Sequence, residues 1–295
     1  MNFNQTKNHR VPWLRFFFVT SLQLVLSFAV FAYAFPHRFE EETRSVWPVA
    51  LLTLVFGVPL SLFEYLYHRY LLHAAVLPFL SSMFRAHTKH HSLTDVRAPV
   101  KSTDPSLLVP VVNEYSIEKP EQEESMMFPA YSVSVFYAIF LVLLGLPAYL
   151  LFPSWPVFVS VLAAVTIYYC AYELWHAVLH LPFERFWQPL FDGRRTRKTA
   201  RTVYSFHLMH HWRPTCNLAV VGFWGIAVWD HVFRTHKRPG RLPLVGAEVA
   251  YEDGRLGRPL WPISAIDRCK GQLYNRSRRF ERFLARLFLR KTFEN

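Results

Sequence analysis

The dominant pattern along this 295-residue chain is a set of long, uninterrupted apolar runs. Four stand out: "WLRFFFVTSLQLVLSFAVFAYAF" (13–35), "WPVALLTLVFGVPLSLF" (47–63, continuing toward His68), "YSVSVFYAIFLVLLGLPAYLLF" (131–152) and "WPVFVSVLAAVTIYYCAYELW" (155–175). A bilayer crossing needs about 20 such residues as helix. Pro48 and Pro156 stand where a helix begins and tolerates a missing N–H. Trp13, Trp47 and Trp155 mark run ends, where aromatic rings sit at a membrane interface. The pattern predicts transmembrane helices at about 13–35, 47–67, 131–152 and 155–175, paired as two hairpins. The first run also resembles a secretory signal, with Lys7, Arg10 and Arg15 before an apolar core ending in "AYA". That core exceeds the usual length of about 7–15 residues, so an uncleaved helix is expected.

Charge orients the hairpins. The 36–46 connection carries Arg38 and Arg44 against Glu40, Glu41 and Glu42, and 153–154 carries no charge. The net +12 of the chain comes entirely from residues after 180. Cationic loops stay on the cytoplasmic side, which places the N-terminal segment (1–12), the 74–130 connection and the C-terminus there. Topology accounts for the basic surplus, so no nucleic-acid partner is expected. The acidic stretch 114–124 reads as a solvated loop or lid. At 274–295, Phe280, Phe283, Leu284, Leu287 and Phe288 form a stripe flanked by Arg279, Arg282, Arg286 and Arg290. This basic amphipathic helix suits an anionic lipid surface in preference to an acidic electron carrier. The bulk of the chain, 13–273, is then one membrane domain. Cys170, Cys216 and Cys269 lie too scattered for a thiolate site or disulfide frame.

Candidate chemistry lies in the histidines. Ten of the fourteen fall into four short motifs: His68 and His73 in "HRYLLH"; His87, His90 and His91 in "HTKHH"; His176 and His180 in "HAVLH"; His207, His210 and His211 in "HLMHH". The two-member motifs end or follow apolar runs two and four, and each is followed by a triplet. Residues three or four apart on a helix share a face, so each triplet presents three rings to one side. His68 and His73 fit less well, about 140° apart on a regular helix. Either the helix distorts there or the rings approach from different sides. Neutral imidazoles offer lone pairs that suit iron, zinc, copper or nickel, and ten exceed what one ion accepts, so two metals are expected. Glu64, Glu173 and Asp230 are candidate acceptors for the outer ring N–H of a ligating histidine; Glu64 and Glu173 read equally well as helix-end acids. His9, His37, His231 and His236 read as solvated or structural.

These motifs resemble those of the fatty acid hydroxylase and sterol desaturase superfamily of membrane-bound di-iron oxygenases, over roughly 47–236. "EYLYHRYLLH", "YELWHAVLH" followed by HxxHH, and "LAVVGFWGIAVWDHVFRT" are most similar to the fatty acid 2-hydroxylase branch. No His-Pro-Gly-Gly haem signature is present, so no fused cytochrome domain is expected. The 91–176 and 180–207 intervals look longer than in that branch. The resemblance implies an all-α integral membrane protein with a cytoplasmic helical cap carrying a dimetal site. It also implies two iron ions (zinc can replace them on purification), O2 as cosubstrate, a lipid substrate and a separate cytochrome- or ferredoxin-like electron donor. The reaction it implies is hydroxylation of a fatty acid or fatty acyl lipid, with no catalytic side chain beyond the metal ligands. A sterol or carotenoid oxidase or desaturase of the same superfamily is the alternative. A metal transporter is disfavoured because runs three and four carry no ionisable group at mid-span apart from tyrosines and Cys170, where a transport path would place them. The segment 219–230 is too short to span; it reads as an interfacial substrate wall or a buried helix.

Overall fold

The computed structural model describes residues 12–96, 108–112, 122, 125–238, 247–250 and 256–290. Residues 1–11 and most of the acidic 114–124 stretch lie outside them, as do the side chains of Leu287, Phe288 and Arg290. The described chain is predominantly helical. The elements that position the site are α1 (Trp13–Ala34), α2 (Pro36–Thr43), α3 (Val46–Leu72), α4 (Ser81–Leu93), α5 (Ser132–Leu151), α6 (Val157–Leu179), α7 (Arg197–Trp212), α8 (Val228–Val232) and α9 (Ile263–Arg290). A small antiparallel sheet, unforeseen in an all-α reading, joins Asp95–Val96 to Leu108–Val112 and the latter to Ala247–Ala250.

The chain divides into two compact units. Residues 1–62, 117–178 and 223–226 form the first; 63–116, 179–222 and 227–295 form the second. The division falls inside the continuous helices α3 and α6.

In the first unit, α1, α3, α5 and α6 are each long and apolar enough to cross a membrane, which marks this as a membrane protein. α6 is the hub, 61% buried over its most apolar window against 11% for α1. Ser160 and Ala164 are fully buried on it, small residues that let neighbouring helices approach. Phe16 of α1 stacks on Tyr169 at 5.4 Å. The Ser160 hydroxyl reaches Val49 O of α3 at 3.3 Å, and Tyr137 of α5 meets Thr166 at 2.5 Å. The opposite faces are apolar and exposed, among them Leu14, Phe18 and Val30 on α1, Leu51 and Val55 on α3, and Val142, Leu143 and Leu150 on α5. Apolar faces this extensive need a lipid solvent.

The connection 36–46 is more ordered than a charged loop. Arg38 bridges Glu41 and Glu42 and donates to Trp155 O, while buried Glu42 accepts the Val159 N–H at 2.8 Å. The tip Phe223–Ile226 is a tight turn rather than a buried helix, with positive φ at Trp224 and Gly225. Its Trp224 indole donates to Leu54 O on α3 at 3.0 Å.

In the second unit, Tyr65, Tyr70, Leu218 and Ile263 form a small core with Trp229 and Phe233. Buried Arg69 pairs with Asp267 through two contacts, 2.5 and 3.1 Å. The amphipathic C-terminal helix therefore begins at Ile263, anchored in this core, rather than at 274. Farther along it, Leu273, Phe280 and Phe283 are exposed beside the arginines.

Candidate metal centre

A regular helix would splay the rings of His68 and His73. The chain resolves this with a π turn over His68–Leu72, where the His73 N–H bonds to His68 O at 3.2 Å. Such one-turn widenings are rare and concentrate at functional sites. The extra residue brings the two rings to 5.0 Å between centroids, so a four-residue gap places both on one face.

Within the second unit the histidines assemble into two cages. His68, His73, His87, His91 and His210 form the first; His90, His180, His207 and His211 belong to the second. In each cage the ligand nitrogens lie within 4.8 Å of one another. The two triplets exchange members. His87 and His91, one turn apart on α4, face the first cage and His90 the second; on α7, His207 and His211 face the second and His210 the first. Each triplet thus contributes to both cages, a division that shared-face reasoning does not reveal. The cages adjoin, with His91 stacked on His211 at 4.1 Å. His176, on the part of α6 that belongs to the first unit, is buried one helical turn ahead of His180.

Hydrogen bonding among the rings cannot explain this packing. His87 Nε2 lies 3.0–3.1 Å from Nε2 of His68, His73 and His91 at once. A neutral imidazole nitrogen carries one proton or one lone pair and satisfies one partner. Backbone acceptors then fix which form is present. His68 Nδ1 faces Leu218 O at 2.5 Å and His210 Nδ1 faces Cys216 O at 2.9 Å. Carbonyls only accept, so both Nδ1 atoms carry the proton and both Nε2 atoms present lone pairs to the cage. Thr94 spends its hydroxyl proton on His91 O (3.1 Å) and so accepts from His211 Nδ1 at 2.7 Å, which assigns His211 likewise. Lone pairs converging at about 3 Å repel unless a cation lies among them. The spacing fits: two nitrogens at right angles around an ion with bonds of about 2.1 Å stand about 3.0 Å apart.

Electrostatics agree. Burial, reinforced by neighbouring imidazoles, holds His73, His87 and His211 well below the ordinary histidine pKa, and burial pushes His91 down to about 3. These four rings are thus held neutral, the form in which an imidazole nitrogen can act as a ligand.

The carboxylates act differently from expectation. Glu64 does not take the ring N–H of His68, which goes to Leu218 O. It accepts instead from the backbone of Val220, Val221 and Gly222 at 2.5, 3.0 and 2.8 Å. Asp230 accepts from Leu218 and Ala219 N–H, both at 3.0 Å, and from Thr235 at 2.7 Å. The two acids clamp the 218–222 segment, and that segment orients His68. Glu173 accepts the Phe128 N–H at 3.2 Å rather than a proton from His176. The orienting groups found here, Leu218 O, Cys216 O and Thr94, carry no sequence signature beyond the position of Thr94 three residues after His91. His231 and His236 stack on each other at 4.1 Å and belong to neither cage. No family model, curated protein or solved structure matches the chain.

Proposed function

We propose that this protein is a multi-pass membrane di-iron oxygenase that hydroxylates a fatty acid or fatty acyl lipid, with the histidine cages and C-terminus on the cytoplasmic side. One observation carries this reading: two adjoining all-imidazole cages, in which the His68, His210 and His211 tautomers turn their lone pairs inward, in a chain with four helices long and apolar enough to cross a membrane. His176 would join His180 as the fifth ligand of the second cage, through their shared helix face. All-nitrogen ligation suits iron and also zinc; the choice of iron and of a lipid substrate rests on the family resemblance.

When bound, two iron ions would supply the O2 and C–H chemistry that no side chain offers, with electrons from a separate cytochrome- or ferredoxin-like protein. The balance is one C–H bond, O2, two electrons and two protons giving C–OH and water. The chain's residues do the rest. Leu218 O, Cys216 O and Thr94 hold rings in the ligating tautomer. Glu64 and Asp230 keep those carbonyls in place. Burial of the rings excludes bulk water, and the apolar helices admit an acyl chain from the bilayer.

The test is lipid mass spectrometry of cells with and without the gene. A species 16 mass units heavier, one oxygen gained, is expected in the gene's presence. A loss of two mass units would mark desaturation instead, and no lipid change in iron-replete, aerobic cells would overturn the proposal.

A further inference from the structure

The second unit contains a cavity of about 200 Å³ that none of the metal chemistry uses. Its lining includes Arg69, Arg234, His236 and Lys237, with Asp267 as the acid among them. Asp267 is already committed to Arg69 by its two contacts, and Arg69 also donates to Thr215 O at 2.6 Å. Arg234 and Lys237 have no ion pair among the described residues. Among the described residues, its lining therefore carries a surplus of about two positive charges.

The backbone that carries these cations is fixed in place. Asn217 accepts the Lys237 N–H and donates to Lys237 O, both at 2.7 Å, and donates to Phe206 O at 2.9 Å. Arg234 adopts a left-handed backbone, φ 57°, and the next residue, buried Thr235, is bound to Asp230. The His236 ring stacks on His231 at 4.1 Å. Burial, then the nearby His231 and Arg238, pushes its pKa down to about 4, which leaves it a neutral N–H donor. Cations on a fixed backbone, without counter-charge among the described residues, make a concave site suited to an oxyanion.

We propose that this cavity binds a phosphate-type oxyanion, either a free phosphate or the headgroup of an anionic lipid, through Arg234, Lys237 and His236, with Arg69 as the buried base of the site. Cys216 both lines the cavity and holds His210 through its carbonyl, so the receptor stands one peptide unit behind the first cage.

The test is calorimetric titration of the full-length protein in a non-ionic detergent with inorganic phosphate, dihexanoyl phosphatidic acid and dihexanoyl phosphatidylcholine. One saturable site per chain is expected for phosphate or phosphatidic acid. Comparable affinities identify a free-oxyanion site, and an advantage of about tenfold or more for phosphatidic acid identifies a headgroup site. Arg234→Gly, which also suits the left-handed backbone, and Lys237→Gln should each weaken binding about tenfold, at about 1.4 kcal/mol per decade. Lys198→Gln, at an exposed position on α7 outside the cavity lining, should leave it unchanged. Absence of saturable binding, phosphatidylcholine binding as tightly as phosphatidic acid, or binding that survives the Arg234→Gly/Lys237→Gln double substitution overturns the proposal. The last result would also identify phosphate bound at the metal centre.

Discussion

Replacing Glu64 with Gln tests whether the clamp on 218–222 governs the first cage. In the native protein one carboxylate oxygen accepts from Val220 and Val221 and the other from Gly222. Gln keeps the shape but can accept on one oxygen only, and its NH2 group then faces a third N–H. A hydrogen bond to a charged group contributes about 1.5–3 kcal/mol, and a stranded buried donor costs about 1–3 kcal/mol. A net loss of about 3 kcal/mol follows for the clamp. If half or more of that reaches Leu218 O, and through it the His68 ring, metal affinity in the first cage falls about 10- to 100-fold. The second cage, whose His211 is held by Thr94, should be untouched. Chelator titration of the purified variant, followed by elemental analysis, should release one metal per chain at about 10- to 100-fold lower chelator than in wild type. Glu173→Gln, which keeps an oxygen for the single Phe128 N–H, should leave the first cage at wild-type affinity. A Glu64→Gln profile indistinguishable from wild type, or an equal effect of Glu173→Gln on the first cage, would refute the clamp.

Other consequences can be checked in the same preparations. Metal-replete protein should carry about two ions per chain; His210→Ala should selectively weaken the first cage and His90→Ala the second, and a wild-type content in both variants would remove these residues from the ligand set. The depressed pKa values of His73, His87, His91 and His211 mean that between those values and about 6.5 the unfolded chain binds more protons than the folded one, so stability rises with pH through that window. The melting temperature of metal-stripped protein should therefore be level above about pH 7 and fall as pH drops through about 6.5; a melting temperature unchanged down to about pH 5 would contradict neutral, buried rings. A Cβ at Gly57 would overlap the Trp224 indole nitrogen, so Gly57→Ala should cost about 1–3 kcal/mol as overpacking. Adding Trp224→Leu should recover most of it, and simple additivity of the two melting-temperature losses would show that they do not touch.

Legibility in the sequence divided along the range of the interactions. The four spans could be read because about 20 consecutive apolar residues have few alternatives to crossing a bilayer, and the helices begin and end within a few residues of the runs. The histidines could be grouped because spacings of three and four are set by the helix itself. The π turn at His68–Leu72 was visible only as a misfit, five residues where three or four would align, because its widening is settled by what the rings meet from α4 and α7. The partition of each HxxHH triplet between two cages depends on which helix faces which ring. The roles of Glu64 and Asp230 escaped the sequence for a similar reason. Glu64 stands four residues before His68 and looks like its local partner, yet its carboxylate reaches amides more than 150 residues away. The His68 and His210 rings turn instead to carbonyls of Leu218 and Cys216, and a carbonyl belongs to every residue type, so composition carries no trace of it. Helical period and hydrophobicity are properties of a chain's neighbours in sequence and were fixed there; ring tautomers, ligand partition and the basic cavity arise from neighbours in space, and only the folded chain decided them.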